Sequence, residues 1–158
     1  YTPNYQPTVY KSAPGVVETL IGSTLYDNQS NASVANRIYA FPDGTVAATW
    51  IFGLANPNFA DRGTAYNYYD GTSWGDEPAA RIENTRVGWG CYTPVGDGEL
   101  VVAHNGASAL VVSRRATRGS GAWTYSQIVG PSVSGSTALL WPRVTASGNT
   151  EHVIACTD

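Results

Sequence analysis

Two arginines of this 158-residue chain, Arg37 and Arg143, begin short segments that are similar in sequence. The segments are "RIYAFPDGTVAATW" and "RVTASGNTEHVIAC", and a third, "CYTPVGDGELVVAH", begins at Cys91. A guanidinium group presents a rigid fork of hydrogen-bond donors that matches a carboxylate. If the segments hold equivalent places in the fold, the two arginines could clamp an acidic ligand. The alternative is that each arginine braces a neighbouring strand or pairs with an acidic side chain.

A carboxylate next to a third arginine, Asp61-Arg62, follows the first segment in "NPNFADRGT". A general acid that cleaves a glycosidic bond needs a carboxyl whose pKa is raised by partial burial. The Asn, Pro and Gly residues of this loop favour the alternative, in which Asp61 stabilises an Asx-type turn. Conventional glycosidases use two carboxylates, and the sequence assigns no second catalytic group here. The question of catalysis therefore stays open.

Four tryptophans accompany the repeated segments and indicate a second kind of site: Trp74, Trp89, Trp123 and Trp141. Flat apolar rings stack on the faces of sugars, so a repeat protein with one such ring in each unit could bind carbohydrate. The alternative is that each ring packs between units because of its large apolar area. The regular spacing of these tryptophans fits the packing role.

The elements that would position these residues follow from a repeat. Gly44, Gly98 and Gly148 are expected in turns and lie 54 and 50 residues apart, and Trp74 and Trp123 are 49 residues apart. A unit of about fifty residues that holds two hairpins contains four short antiparallel strands, as in a β-propeller blade. A β-sandwich also uses short strands and frequent turns, but it gives no reason for one fixed interval.

We therefore predict an all-β fold built of four-stranded antiparallel propeller blades, in one partial domain over residues 1–158. Since closed propellers have about four to eight blades, we expect the rest of a longer polypeptide, or other copies, to complete the ring. The first strand of each blade would line the central channel and bring Arg37 and Arg143 there. The predicted segments are a lead-in over 1–33 with a strand in 16–27, then blades over approximately 34–84, 87–132 and an incomplete 138–158.

Composition narrows the class of protein. Charged residues make up 13%, the formal net charge is −3, and there are 17 Gly, 10 Tyr and 5 Trp, which is typical of secreted all-β proteins. With so few basic residues we expect no nucleic-acid partner, and no run approaches the roughly 18 apolar residues of a membrane span. His104 and His152 lack the spacing of zinc ligands, and no cofactor motif is present. The absence of methionine indicates a processed or excised segment.

The opening segment, "NRIYAFPDGTVAATW", resembles the Arg-Ile-Pro motif and Asp-Gly hairpin that open the six-bladed propeller of sialidases. Residues 113–128, "SRRATRGSGAWTYSQI", resemble a degenerate Asp-box, the turn that joins the last two strands of such a blade. Most of the chain is also similar to sialidase-like propellers in large secreted proteins of Bacteroidota, many of which carry a C-terminal sorting domain. Tyr39 stands where the sialidase motif has its proline, and Arg118 and Ser120 lie near the place of the Asp-box aspartate.

This resemblance implies a secreted or cell-surface, sialidase-like partial six-bladed propeller. We expect a binding or scaffolding module directed at carbohydrate, with a glycan as partner. One alternative is a fragment of an exo-sialidase, a glycoside hydrolase with an arginine clamp for the carboxylate. A second alternative is a purely structural or adhesive propeller. The implied site consists of Arg37, Arg143, Arg62 and Tyr39 as ligand-binding residues and Asp61 as the acid/base, with no metal or cofactor.

Overall fold

A computed structural model of the chain describes residues 14–30, 34–107, 109–130 and 138–157. Within these ranges the chain forms β-strands and no helix, which confirms the predicted all-β class. The strands are β1 (Ile38–Ala40), β2 (Val46–Phe52), β3 (Gly63–Tyr69), β4 (Gly88–Val95), β5 (Gly98–His104), β6 (Ala109–Arg115), β7 (Thr124–Val129), β8 (Leu139–Ser147) and β9 (Thr150–Thr157).

The strands form three antiparallel sheets, none of which closes on itself. Sheet 1 has the order β1-β2-β3, sheet 2 the order β4-β5-β6-β7, and sheet 3 consists of β8 and β9. Sheet 2 has four strands, the number predicted for each unit, whereas sheets 1 and 3 have three and two among the described residues. In sheet 1 an isolated bridge between Tyr69 and Trp74 stands where a fourth strand would pair.

Sheet 2 is the middle layer, because its strand β5 is buried along its whole length. Successive side chains of a strand point to opposite faces. Leu100 and Val102 belong to the apolar cluster that also contains Val144 of sheet 3. Val101, on the other face of β5, packs with Ala47 of sheet 1. A strand buried on both faces explains the continuous apolar run of β5.

The first hairpin of each sheet repeats at a constant interval. Its turn holds a glycine with positive φ in all three sheets: Gly44 (84°), Gly96 (55°) and Gly148 (57°), each 52 residues after the last. The assignment of Gly98 to the second turn was wrong. Gly98 is the first residue of β5, where an added Cβ would lie 2.4 Å from the carbonyl oxygen of Arg115.

Trp74 of sheet 1 and Trp123 of sheet 2 also hold corresponding positions, next to the end of the third strand of each sheet. In sheet 1 Trp74 bridges the last residue of β3, Tyr69. In sheet 2 Arg114 of β6 pairs with Thr124, so Trp123 stands beside Arg115, the last residue of β6. The two tryptophans therefore occupy the same register position, as their spacing predicted.

The lead-in differs from its prediction. Residues 14–30 form no strand, so the strand expected in 16–27 was wrong. The Gln29 side chain, not the backbone, bonds the Ile51 backbone: its Nε2 donates to the oxygen (3.0 Å) and its Oε1 accepts from the nitrogen (2.9 Å). Backbone pairing to sheet 1 comes only from Leu25 N–H to Gly53 (2.8 Å) among the described bonds. The remainder of the predicted lead-in, 1–13 and 31–33, lies outside the described residues.

The three sheets are joined along their first strands. Asn36, just before β1, accepts a hydrogen bond from the Tyr92 N–H and donates its Nδ2 to the Tyr92 oxygen, both at 2.8 Å. The Val144 N–H of β8 donates to the Cys91 sulfur of β4 at 3.5 Å. The outermost strand, β7, is exposed along all its residues. The first strands are thus the place where side chains from three sheets meet.

Candidate ligand-binding site

Arg37, Cys91 and Arg143 lie in or next to the first strands of their sheets. Arg37 immediately precedes β1, whereas Cys91 pairs with Val102 within β4 and Arg143 pairs with Ile154 within β8. Because the first strands adjoin, the three side chains come from neighbouring elements. Arg143 and Cys91 lie close enough to Arg37 to alter its pKa, and we call these three residues the first-strand row.

Arg37 is half-buried at the start of sheet 1. Its carbonyl oxygen accepts from the backbone N–H (2.7 Å) and the hydroxyl (3.2 Å) of Thr49, which fixes its backbone. Burial, followed by the positive charge of Arg143, lowers the pKa of the Arg37 guanidinium. The two arginines thus lie within electrostatic range of each other. Among the described residues, no acidic side chain pairs with Arg37.

The second arginine is held by its own strand. Arg143 donates its Nη1 to the carbonyl oxygens of Pro142 (2.8 Å) and Trp141 (3.3 Å). These contacts keep the guanidinium next to the β8 backbone, beside the position of Cys91. The Cys91 thiol is buried and free, and Cys156 is free and exposed, so the two cysteines form no disulfide.

Tyr39 lies two residues after Arg37, so both side chains leave β1 on the same face. Its ring is 38% exposed and stands 4.7 Å from the ring of Phe41. Arg37, Ile38 and Trp50 line an adjacent groove of about 340 Å³. The start of β1 therefore offers a cation, an exposed aromatic ring and an adjacent groove.

Arg62 lies apart from the first-strand row, in a cluster of aromatic rings. Its Nε donates to the carbonyl oxygen of Val87 (3.0 Å) and its Nη1 to the hydroxyl of Tyr26 (3.3 Å). Its guanidinium carbon is 4.9 Å from the ring centre of Trp89 and 5.4 Å from that of Tyr26. These contacts give Arg62 a packing role, because a guanidinium held between rings and backbone has few donors left.

The cluster also includes Trp89, Trp141 and His104, which were not predicted from the sequence to lie together. Trp89 and Trp141 both have positive φ (51° and 54°), and each lies in a bulge two residues before its row residue, Cys91 or Arg143. His104 contacts both rings, at 5.2 and 4.8 Å. The common offset of the two tryptophans is visible in the sequence, but the bulge that turns them together is not.

The chemistry of His104 is that of a structural residue. Its Nδ1 accepts the Trp141 backbone N–H at 3.0 Å, so this nitrogen carries no proton and the imidazole is neutral. Burial, with the charge of Arg62, lowers the pKa of His104 to about 4. The histidine thereby links β5 to β8.

Asp61 occupies a turn and not the first-strand row. Its carboxylate accepts the backbone N–H groups of Leu54 (2.8 Å) and Ala55 (3.0 Å). Partial burial pushes the pKa of Asp61 upward, but these backbone hydrogen bonds outweigh it and the pKa is lowered. A general acid needs the opposite shift. Asp61 also lines a different groove from Arg37, one of about 480 Å³ shared with Arg81 and Glu83.

Glu83 is a carboxyl that sequence reasoning missed. It is 4% exposed, accepts the Thr64 N–H at 2.8 Å, and burial raises its pKa. Its Oε1 has no hydrogen-bond partner among the described residues. No motif marks this residue in the sequence, because its burial depends on packing against β3.

Two tyrosines and a glutamate form a hydrogen-bonded network that is buried between sheets 1 and 2. Glu99 accepts the hydroxyls of Tyr66 (2.6 Å) and Tyr92 (2.7 Å) on one oxygen, and Arg115 Nε (2.6 Å) and Gly119 N–H (3.1 Å) on the other. Burial, followed by the negative charge of Glu99, raises the pKa of both tyrosines. A nucleophilic tyrosine needs a lowered pKa. This network therefore joins the sheets.

None of the five tryptophans is fully buried; all are half-buried. Trp123 packs edge-on against Tyr66 at 5.5 Å, and Trp74 lies 5.7 Å from Tyr69. The packing role predicted from their spacing holds in part, and each ring keeps some surface exposed.

In the described part of the chain, no group of three His, Cys, Asp or Glu side chains could hold a metal ion. The same residues include no helix long and apolar enough to cross a membrane. Comparison of the chain with protein-family models, with curated proteins and with solved structures finds no match.

Proposed function

We propose that this chain is a sialidase-like β-propeller segment that binds a carboxylate-bearing glycan through Arg37 and Arg143. The observation that carries the proposal is the placement of Arg37 and Arg143 on either side of β4, where their neighbours Asn36 and Val144 bond Tyr92 and Cys91 and where the charge of Arg143 contributes to the lowered pKa of Arg37. Like charges repel, so such a pair is stable only when other contacts hold it or when an anion is bound between the two cations. A carboxylate is the anion whose shape matches a guanidinium fork.

Three features support the propeller assignment. Positive-φ turn glycines recur every 52 residues, each sheet begins with an antiparallel hairpin, and adjacent sheets are bonded through their first strands. These are the relations expected of successive blades around an axis. A two-layer sandwich requires none of them.

Completion of the ring is part of the proposal. Ile38 of sheet 1 is 64% exposed and Ile154 of sheet 3 is 73% exposed, so the outward faces of both end sheets carry apolar surface. Apolar faces of this kind pack against further blades in a propeller. We assign the covering blades to the rest of a longer polypeptide or to other copies of the chain, and we place the protein outside the cell or on its surface.

Binding is favoured over catalysis by the proton chemistry of the described residues. Asp61 has a lowered pKa, and the buried tyrosines beside Glu99 have raised ones. The runner-up, a fragment of an exo-sialidase, is favoured by one observation only, the raised pKa of buried Glu83. Glu83 lines the groove of Asp61 and not the groove of Arg37, which separates the acid from the arginine clamp.

The test compares methyl α-sialoside with its methyl ester, which keeps the sugar but lacks the carboxylate charge. We expect the acid to bind more tightly than the ester by calorimetry or NMR titration. Arg37→Gln and Arg143→Gln should each weaken binding of the acid about tenfold, the effect of losing a charge-assisted hydrogen bond. Methyl glucuronoside serves as a second acidic probe, because the clamp recognises the carboxylate.

Arg86→Gln is the matched control, because Arg86 is an exposed arginine bonded to the Phe59 carbonyl oxygen (2.9 Å), away from the row. It should leave both affinities unchanged. Equal binding of acid and ester, or the same loss in Arg86→Gln as in Arg37→Gln, would contradict the proposal. Turnover of an aryl sialoside that Glu83→Gln abolishes would support the runner-up.

A further inference from the structure

A groove of about 360 Å³ lies between the end of β3, with the turn that follows it, and the loop that joins β6 to β7. This volume falls at the lower end of small-molecule sites, about 300–1,000 Å³. The groove lies apart from the first-strand row, because β3 is the strand of sheet 1 farthest from β1. Three half-buried aromatic side chains line it: Tyr66, Tyr68 and Trp74.

Arg115, a basic residue in the lining, brings no free positive charge to the groove. Its side chain is 7% exposed, and its Nε is bonded to the buried carboxylate of Glu99 at 2.6 Å. Its guanidinium lies over the rings of Tyr66 (4.3 Å) and Trp123 (4.6 Å). Its Nη2 is buried without a hydrogen-bond partner among the described residues, so this nitrogen does not reach a ligand. Arg115 is thus a neutralised and buried wall of the groove.

Asp70, in contrast, brings an unmatched negative charge to the rim. It is exposed, and its Oδ1 accepts the N–H groups of Ser73 and Thr72, both at 2.8 Å. These two bonds lower the pKa of Asp70, so the carboxyl is ionised at neutral pH. Its Oδ2 accepts no hydrogen bond from the described residues, and its charge has no ion-pair partner among them.

Two more carboxylates follow Trp74 closely in the chain, Asp76 and Glu77. Both are exposed, and neither forms an ion pair with the described residues. The other arginine near the groove, Arg118, is already paired with Asp43. The electrostatic potential around Trp74 is therefore negative, which favours a cation over a neutral or an anionic ligand.

The lining also selects the kind of cation. In the described part of the chain no group of three His, Cys, Asp or Glu side chains could hold a metal ion. A primary ammonium or a guanidinium carries three or five N–H donors that need acceptors, whereas the free carboxylate oxygen here is Asp70 Oδ2 alone. A quaternary ammonium has no N–H to satisfy, and both aromatic faces and a carboxylate attract it.

We propose that this groove binds a quaternary ammonium group, with Trp74 and Tyr68 as its aromatic walls and Asp70 as its counter-charge. The site is separate from the Arg37–Arg143 pair and does not depend on it. A trimethylammonium group occurs in choline and in the side chain of trimethylated lysine, and the chemistry that the groove recognises is common to both.

The experiment follows the indole Nε1–H signal of Trp74 and the backbone N–H signal of Gly119 in ¹⁵N-labelled protein at constant ionic strength. The probes are choline, its neutral isostere dimethylbutanol (a quaternary carbon in place of the nitrogen) and methyl β-galactoside. We expect choline to shift both signals along one binding curve in the millimolar range, because exposed cation–π contacts are weak. The two neutral probes should leave both signals in place.

A second titration, with Nα-acetyl-trimethyllysine amide, distinguishes the two sources of the cation. Tighter binding than that of choline assigns the groove to a methylated peptide, and weaker binding assigns it to choline or a choline headgroup. Arg37→Gln should keep the choline shift, so a failure of sialoside binding and a failure of this site are distinguishable.

Asp70→Asn should weaken choline binding about fivefold, since asparagine keeps an acceptor for the Thr72 and Ser73 N–H groups but loses the charge. Asp27→Asn is the matched control at another exposed aspartate. Asp27 follows Leu25, which is bonded to Gly53 beyond the end of β2, whereas the groove adjoins the start of β2. It should bind choline as the native protein does.

Trp74→Leu should reduce the choline shift of Gly119, because it keeps apolar bulk but removes the aromatic ring. Three results would each overturn the proposal. They are the absence of any shift with choline and trimethyllysine, an equal shift with dimethylbutanol, and the same loss of affinity in Asp27→Asn as in Asp70→Asn.

Discussion

Arg115 and Arg37 are arginines placed in contrasting ways. Arg115 has a buried carboxylate partner, Glu99, and two aromatic rings against its guanidinium. Arg37 has no acidic partner among the described residues, and the charged group that most affects its pKa is another arginine, Arg143. The first arrangement uses an arginine to join two sheets. The second holds Arg37 near another cation at the start of the strands.

The difference shows where this fold pairs its charged groups with each other. Between sheets 1 and 2, the oxygens of Glu99 accept four hydrogen bonds, which is what a buried carboxylate requires. In the first-strand row, the guanidinium of Arg37 lies within electrostatic range of Arg143. The predictions below separate an arginine with a buried acidic partner from Arg37, which has none among the described residues.

The largest effect is expected from Glu99→Gln. This change leaves the buried charge of Arg115 unpaired, which should cost about 3–5 kcal/mol of unfolding free energy, measured by urea denaturation. Glu151→Gln, which removes the partner of the more exposed Arg114, should cost less than about 1 kcal/mol. Similar losses in both variants would mean that the Glu99 network is not what joins the sheets.

The next effect is a pH dependence from His104. Unfolded histidine takes up a proton near pH 6.5, whereas folded His104 does so only near pH 4. Its contribution is therefore full above pH 6.5, and stability falls as the pH drops from 6.5 to about 4, by on the order of 3 kcal/mol.

His104→Gln should remove that part of the pH dependence, in urea midpoints measured across the same range. His152→Gln, at an exposed histidine, should retain it. If the pH profiles of His104→Gln and the native protein coincide, the folded imidazole is not buried as the structure has it.

A smaller effect is expected from Asp61→Asn, which keeps one acceptor oxygen but loses the charge that holds Leu54 and Ala55. The free energy of unfolding should fall by about 1 kcal/mol. Affinity for methyl α-sialoside should stay as it is, since Asp61 lines another groove. A large drop in sialoside affinity at unchanged stability would show that Asp61 contributes to sialoside binding.

The smallest effect on stability is expected from Arg37→Gln. Because it removes a repulsion and breaks no ion pair among the described residues, the free energy of unfolding should change by no more than about 0.5 kcal/mol. Arg115→Gln, in contrast, should be strongly destabilising, since it leaves the Glu99 carboxylate buried without its cation. Equal destabilisation by the two changes would erase the contrast between the two arginines.

Much of the repeat could be predicted from the sequence, because hairpin turns need glycine at positive φ and strands need alternating apolar residues. Gly44 and Gly148 were assigned correctly for this reason. The segment "GDGE" contains two glycines, Gly96 and Gly98, and either could have been the turn glycine. Gly98 is instead required where β6 approaches β5 closely. The alignment of Arg37 with Arg143 followed from the same repeat.

Other parts of the site required three dimensions. The aromatic cluster around Trp89 and His104 joins strands from different sheets, and two bulges turn its tryptophans inward. The burial of Glu83 and the unused donor of Arg115 depend on packing that no local pattern encodes. Turns and strands can be predicted from this sequence, whereas contacts between residues far apart in the chain cannot.

The most direct test of the account is an NMR spectrum of the arginine side chains, recorded at Nε and Cζ, during titration with methyl α-sialoside. We expect the signals of Arg37 and Arg143 to move together along one binding curve, while those of Arg115 and Arg86 stay fixed. The methyl ester should leave all four in place. Movement of Arg115 without Arg37, or equal movement of all four arginines, would contradict a carboxylate clamp in the first-strand row.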